Sequence, residues 1–470
     1  MDRYLYSLKK TFSKNEDVVF SSIVNKDTAF IIFFDKAMTN FDLLEKHYIP
    51  SLEALLRSKC FNLLSSNLTA VEEISIHDTK KITSKVFSGF ILVYSPSIKK
   101  IFAINNANIP SRTPELRGSD VTITGSRDGF IENLDTNIAL IRKRIPNENL
   151  KYLTFEVGKI TKTRIGLTYI DGLCDSQMIE DVKNRIQNLD IDAIYNISHL
   201  QGLITNSHNL LPLMTYTLHS DFCCESLLTG RFAVFMDGIP LASIAPVTLN
   251  FFTNYADAGN ENFWVGFIHR FLLLLALFLG LFLSGLSISV LAYDNEFLPF
   301  VMLVNFSNAR KGISMNIITE MIVADCIFQI FRIAATRPLA GINQVILLMG
   351  SVIIGQITVS AGIISQEVML ISAIAMISSY IVSNNYSFNT SINFLRMIIF
   401  IVSMLFGFIG FLLSSLIIII YIINTDSFGI PLLTPIAPFS FKYIKQGFLS
   451  KAYPSRRIKL KSIFKNYKQR

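Results

Sequence analysis

The residues with the most chemical potential in this 470-residue chain lie where polar chemistry is least expected. Glu320, Asp325, Gln329, Arg332, Thr336 and Arg337 sit within residues 317–337. The surrounding block, 264–423, is otherwise mostly Leu, Ile, Phe, Val, Met and Ala. On a helix, Asp325, Gln329, Arg332 and Thr336 fall at i, i+4, i+7 and i+11, which places them on one stripe. Ile322, Val323, Ile327, Phe331 and Ala334 occupy the other faces. A charge at the bilayer centre costs about 3 kcal/mol on insertion scales, so such groups face protein or a water-filled cavity. Two chemistries fit the pattern. The stripe can hydrogen-bond to neighbouring helices as interhelical glue, or it can line a hydrated path with an acidic residue that attracts cations.

Other chemistry is not signalled. The sequence contains no GxGxxG after a strand, no GxxxxGK[ST] and no GxSxG. Asp171 and Asp237 fall at strand ends, where turn preference accounts for them. Cys60, Cys174, Cys223, Cys224 and Cys326 lack metal spacing, and the six histidines form no HExxH set. An enzyme is not expected, and neither a cofactor nor a bound metal is implied.

The elements that must hold the stripe are membrane helices. Residues 271–293, 344–363, 368–382 and 397–423 are apolar runs of spanning type. Gly280/Ser284, Ser351/Gly355, Thr358/Gly362 and Gly410/Ser414 are small-xxx-small pairs that favour close helix approach. Residues 365–367 read as a turn and 384–396 as a polar loop. Residues 1–17 are polar, without the apolar core of a signal peptide, so the first half is expected to stay in the cytoplasm. The net charge of +8 belongs to the C-terminal end. Ten Lys or Arg follow Asp426 with no acidic residue, while the rest carries 33 basic against 35 acidic. A basic juxtamembrane tail reads as cytoplasmic and lipid-contacting. No basic face on a folded domain suggests nucleic acid. With both ends cytoplasmic the crossings are even in number, and four are expected, with 384–396 outside. The stretch 317–337 then enters and returns, or it crosses while 368–382 does not.

The first half reads as a duplication. Residues 29–35 form an apolar strand ending at Asp35, then a helix over 41–57 capped by Thr39 or Asn40, then a hairpin over 88–104. The order recurs as a strand over 163–171, a helix capped by Asp175 or Ser176, and a hairpin around Asp237-Gly238. Asp35 aligns with Asp171 and Gly89 with Gly230. Residues 105–144, with Pro110 and Pro114, read as an extended connector. Its end carries Arg142 and Arg144 beside Leu140, Ile141 and Ile145, a short amphipathic helix suited to docking on a neighbouring half or subunit. The fold class is an α/β cytoplasmic region of two related subdomains followed by a polytopic α-helical membrane domain. Its parts are a first subdomain (1–105), connector (106–144), second subdomain (145–262), membrane domain (263–425) and basic tail (426–470).

Across nearly its whole length the chain resembles the A subunit of GerA-type spore germinant receptors. The connector motif carries it best, with Gly129, Phe130, Glu132, Thr136, Asn137, Leu140, Arg142 and Arg144 in the family's order. Residues 230–248, 350–365 and 426–438 are also similar. Departures occur where the family has Thr-Glu-Arg-Pro-Asp. Here Thr217 and Asp221 flank Leu218, His219 and Ser220. In the polar stretch Glu320, Arg332, Ala334 and Arg337 match, whereas Gln329, Ile333, Ala335 and Leu339 do not. Two family carboxylates are thus missing, which implies an ion preference or gating unlike the family's. The resemblance implies a spore inner-membrane complex with a transporter-like B subunit and a lipoprotein C subunit. In it the A subunit forms a homo-oligomeric ring acting as a nutrient-gated ion channel. Gly129, Phe130, Glu132, Asn137, Arg142 and Arg144 are then candidate interface residues. A secondary transporter and a membrane-anchored scaffold are the rival readings.

Overall fold

The structure, a computed structural model, describes residues 8–9, 12–13, 15–25, 28–58, 71–96, 98–108, 128–205, 209–252, 263–335, 341–383 and 385–434. The first subdomain runs β1 (Val18–Asn25), β2 (Thr28–Asp35), α1 (residues 41–58), β3 (Val71–Ile74), α2 (Thr79–Val86), β4 (Phe90–Ser95) and β5 (Lys100–Asn105). Asn40 caps α1, accepting from the Leu43 N–H, and the helix widens to a π turn over Leu44–Tyr48. The sheet is antiparallel in the order β1-β2-β4-β5-β3. The strand period of two sorts its core. Ile32 and Phe34 pack toward Leu44 and Leu52 of α1, while Phe33 between them packs toward Ile82 and Val86 of α2.

The second subdomain repeats this plan. It comprises α3 (Leu134–Arg144), β6 (Leu150–Val157), β7 (Thr163–Ile170), α4 (Ser176–Gln187), α5 (Ile197–Thr205), β8 (Thr215–Thr217), α6 (Ser220–Leu228), β9 (Phe232–Met236) and β10 (Ala242–Ala245). Its order, β6-β7-β9-β10-β8, is that of the first sheet. Gly89 and Gly230 precede equivalent strands, both at positive φ (83° and 94°). At Gly89 a Cβ would fall 2.6 Å from the Met38 carbonyl, so the turn requires glycine. The end of the connector is not extended. Leu134, Ile138 and Ile141 are buried under the second sheet with Tyr152 and Phe235, so α3 is a core element of that subdomain. The middle of the connector (109–127) lies outside the described residues.

After α7 (Leu249–Phe252) come α8 (Phe263–Ala292), α9 (Phe300–Ala309), α10 (Ile317–Ala335), α11 (Gly341–Ser360), α12 (Gln366–Ile381) and α13 (Tyr386–Asn424), then β11 (Asp426–Ser427) and β12 (Ile430–Pro431). Among the described residues two helices, α8 and α13, are long and apolar enough to cross a membrane. Gly280 of α8 packs directly on α12, where a Cβ would meet the Ser379 nitrogen at 2.6 Å. That close approach is what small residues in apolar helices permit.

Helix α13 does not run as one rod. At Gly407 the backbone takes φ 61° and ψ −143°, and the chain folds back. A Cβ on Gly285 would touch both Ile399 and Phe411, which lie on the two arms. Both ends of α13 meet the second subdomain. Asn385 Nδ2 donates to Thr215 Oγ1 at 2.8 Å, Phe388 stacks on Phe252 with centroids 4.2 Å apart, and Tyr421 Oη accepts from the Leu210 N–H at 2.8 Å.

Two expectations need correction here. Residues 385–396 are not an outer loop: Asn385 caps α13, and the polar residues after it are helical and mostly inward-facing. The hydrogen bond to Thr215 places this segment beside the second subdomain. Nor does 317–335 enter and return, since α10 is one continuous helix. Ser427 and Leu432 bond back to Leu213 and Leu249: Ser427 donates to the Leu213 carbonyl, and the Leu249 N–H donates to that of Leu432. The basic residues beyond lie outside the described residues.

Candidate functional site

The polar stripe is built from two helices. Helix α10 carries Glu320, Asp325, Gln329 and Arg332, and the first arm of α13 carries Asn385, Asn389, Asn393 and Arg396 at i, i+4, i+8 and i+11. That spacing keeps the α13 set on one face, whose Asn393 and Arg396 reach α10. Thr336 and Arg337 lie outside the described residues.

Three polar contacts follow one another along α10. Deepest toward the loops far from the sheets, the fully buried Glu320 accepts from the Ser365 hydroxyl at 2.8 Å and from its N–H at 3.2 Å. Arg310 Nη2 approaches the other carboxylate oxygen at 3.1 Å, so one side chain joins the turn before α10 to the turn between α11 and α12. Next, Arg396 Nη2 lies 2.6 Å from Asp325 Oδ1, with the two residues 1% and 8% exposed. One turn further, Gln329 and Asn393 exchange hydrogen bonds, each 3.1 Å long. Arg396 Nε donates back to Asn393 Oδ1 at 3.2 Å. Asn389 then bonds the Tyr380 and Ser383 carbonyls, closing the turn between α12 and α13. Arg332 forms no ion pair among the described residues, and its buried Nε has no acceptor there.

Sequence reasoning placed Asp325 and Gln329 on a shared face but missed Asn393 and Arg396. The available signal was the four-residue spacing of Asn385, Asn389 and Asn393, which is helical rather than loop-like. A buried ion pair is costly unless both charges are matched, so this one fixes the register of α10 against α13.

The connector residues form a second constellation. Phe130 packs edge-on to Phe235, and its N–H donates to the Leu218 carbonyl. Gly129 bridges His219, and the Glu132 carbonyl accepts from the Gly238 N–H. Asn137 is fully buried and holds both the N–H and the carbonyl of Ile131. Arg144 pairs with Asp221 and Asp128. These contacts are all internal to the second subdomain.

Among the described connector residues, Arg142 reaches across. It is fully buried and binds Asp17 of the first subdomain through Nε (2.8 Å) and Nη2 (3.1 Å). Its Nη1 donates to the Asn147 and Leu150 carbonyls, and the guanidinium lies 4.0 Å over the Phe87 ring. Arg142, with no exposed surface, thus ties α3 to the neighbouring subdomain. Close by, burial and the Asp17 charge push the Asp35 carboxyl up to about 8, against the pull of Arg142. Backbone pairing reinforces the junction. Asn15 bridges Tyr152 at the edge of β6, and Glu16 accepts from the Thr154 N–H. Among the described residues no cluster of three potential metal ligands occurs.

A family model described as Bacillus/Clostridium GerA spore germination protein matches residues 6–461. This chain belongs to that family. Spore germination protein XA of Bacillus anthracis is 33% identical over 380 residues, covering 80% of this chain and 77% of that one. Spore germination protein B1 of Bacillus subtilis is 27% identical over 439 residues, covering 92% of this chain and 90% of its own. Among solved structures, the N-terminal domain of the A subunit of the Bacillus megaterium spore germinant receptor GerK3 gives a TM-score of 0.37 at 22% identity. That match spans 52% of this chain and 92% of the domain. As a GerA-family chain the protein combines duplicated α/β subdomains with an apolar helical layer, and the polar contacts run through that layer from turn to turn.

Proposed function

We propose that this chain is the A subunit of a germinant receptor in the spore inner membrane, and that copies of it assemble into a ring whose α10 faces line a cation path. Nutrient binding elsewhere in the complex opens the path and helps trigger germination. A transporter-like B subunit and a lipoprotein C subunit are the partners in this reading, and both ends of the chain lie in the cytoplasm. The observation that carries it is the Asp325–Arg396 and Gln329–Asn393 layer, buried between two apolar helices. Charged and amide groups at such depth are expensive, and in membrane helices they mark ion or substrate routes. Family membership supports the receptor assignment, and the return of residues 425–434 to the second subdomain supports an even number of crossings.

A specific observation also favours the scaffold reading. Glu320, Asp325 and Gln329 all find partners within the same chain, as interhelical glue would. Full-length protein reconstituted in potassium-loaded vesicles separates the alternatives. A channel passes potassium down its gradient with no co-substrate, a transporter moves it only with a coupled solute, and a scaffold leaves the vesicles tight.

A further inference from the structure

We propose that Arg396 is the closing charge of this path: its guanidinium neutralises Asp325, and opening requires the two to separate. The proposal rests on the channel reading above and deepens it by naming what regulates the site.

A carboxylate favours cations only while its charge is uncompensated. Here Asp325 is compensated at 2.6 Å by a group that is itself 1% exposed. Arg332 follows Asp325 by seven positions on the same helix and adds a second cation without a carboxylate among the described residues. The layer therefore carries two guanidiniums, Arg332 lying about 10 Å along the α10 axis from Asp325, against one carboxylate, and a cation entering it meets net positive charge. The closed arrangement is also incompletely satisfied. Arg396 Nη1 and Arg332 Nε are buried donors with no acceptor among the described residues, and Arg396 Nη2 meets Asp325 as an ion contact without hydrogen-bond geometry. Buried donors left unpaired cost free energy, whereas water in an opened path would pair them. The state is thus held by one ion contact and opposed by its own unmet hydrogen bonds.

The positioning of Arg396 has a mechanical origin. Its Nε is held by Asn393, which is locked to Gln329 of α10, while the start of α13 is tied through Asn385 to β8 of the second subdomain. A shift of α13 relative to α10 breaks the Gln329–Asn393 exchange and withdraws Arg396 together.

The test compares full-length wild type, Arg396→Lys, Arg396→Gln and the double variant Asp325→Asn with Arg396→Met in vesicles loaded with potassium chloride, at matched incorporated protein. Arg396→Gln should raise the basal potassium leak about tenfold, equivalent to about 1.4 kcal/mol of closure. Arg396→Lys should stay near wild type. The double variant removes both buried charges, so it remains foldable even where Arg396→Gln is not. It should leak faster than wild type and without preference for potassium over chloride. A wild-type chain that conducts, with the double variant no faster, overturns the closing role whatever the yield of Arg396→Gln. If neither the wild type nor the double variant passes any ion, the channel reading itself is removed.

Discussion

Arg142 and Asp35 show how much a single buried charge decides in the soluble half. Replacing Arg142 with Met leaves Asp17 buried without its partner, a change that costs about 3–5 kcal/mol when one half of a buried pair is removed. Thermal unfolding of the full-length protein should show a marked drop in midpoint, and an unchanged midpoint would mean that the subdomain junction does not depend on the pair. Asp35 gives a pH signature. Its carboxyl is held up to about 8, whereas an unfolded Asp titrates near about 3.9. Between these values the folded chain keeps a proton that the unfolded chain has lost, so stability falls as pH rises from about 4 to about 8. Asp35→Asn cannot lose that proton. Its unfolding midpoint should exceed the wild type's near pH 8, with the gap closing toward acid. Parallel profiles for the two proteins would refute the assignment.

At the scale of elements, the hairpin in α13 depends on one residue. Gly407 occupies a backbone region that L residues rarely adopt, and an added Cβ would meet the Tyr293 ring at 3.2 Å. Gly407→Ala should destabilise the helical layer by about 1–3 kcal/mol, read as a lower melting midpoint in detergent. Wild-type stability would show that the fold-back is not required. This turn was invisible in sequence because glycine is common in apolar helices and the flanking runs are uniformly apolar. Elements with a clear period were legible. The strand ending at Asp35, both hairpins, the Asn40 cap and the Asp175 cap all follow from local residue chemistry. Helix α3 was obscured by the polar residues before it, since its burial depends on β6, β7 and β9, which come later in the chain. The Asn385–Arg396 segment was obscured for a different reason. Polarity alone suggests a loop, and only the presence of α10 makes an inward polar face useful. Pairings such as Arg142 with Asp17 join residues 125 positions apart, and no local rule encodes them.

For the whole molecule, the contacts of α13 set the sidedness. Position 386 and the sheets lie at one end of the helical layer, and the turn around Lys311, where Arg310 meets Glu320, lies at the other. In intact membranes a cysteine at Lys311 should react with an impermeant maleimide from the face opposite to cysteines at Lys100 and Tyr386. Labelling of 386 and 311 from the same face would contradict the arrangement. If the α10 face carries cations past Asp325, the carboxylate there sets the ion preference. The most direct test is the reversal potential of the full-length protein in a planar bilayer under a potassium chloride gradient. The wild type should be cation-selective, and the Asp325→Asn variant should still conduct with its reversal potential shifted toward zero. Currents with the same reversal potential in both proteins would contradict this reading.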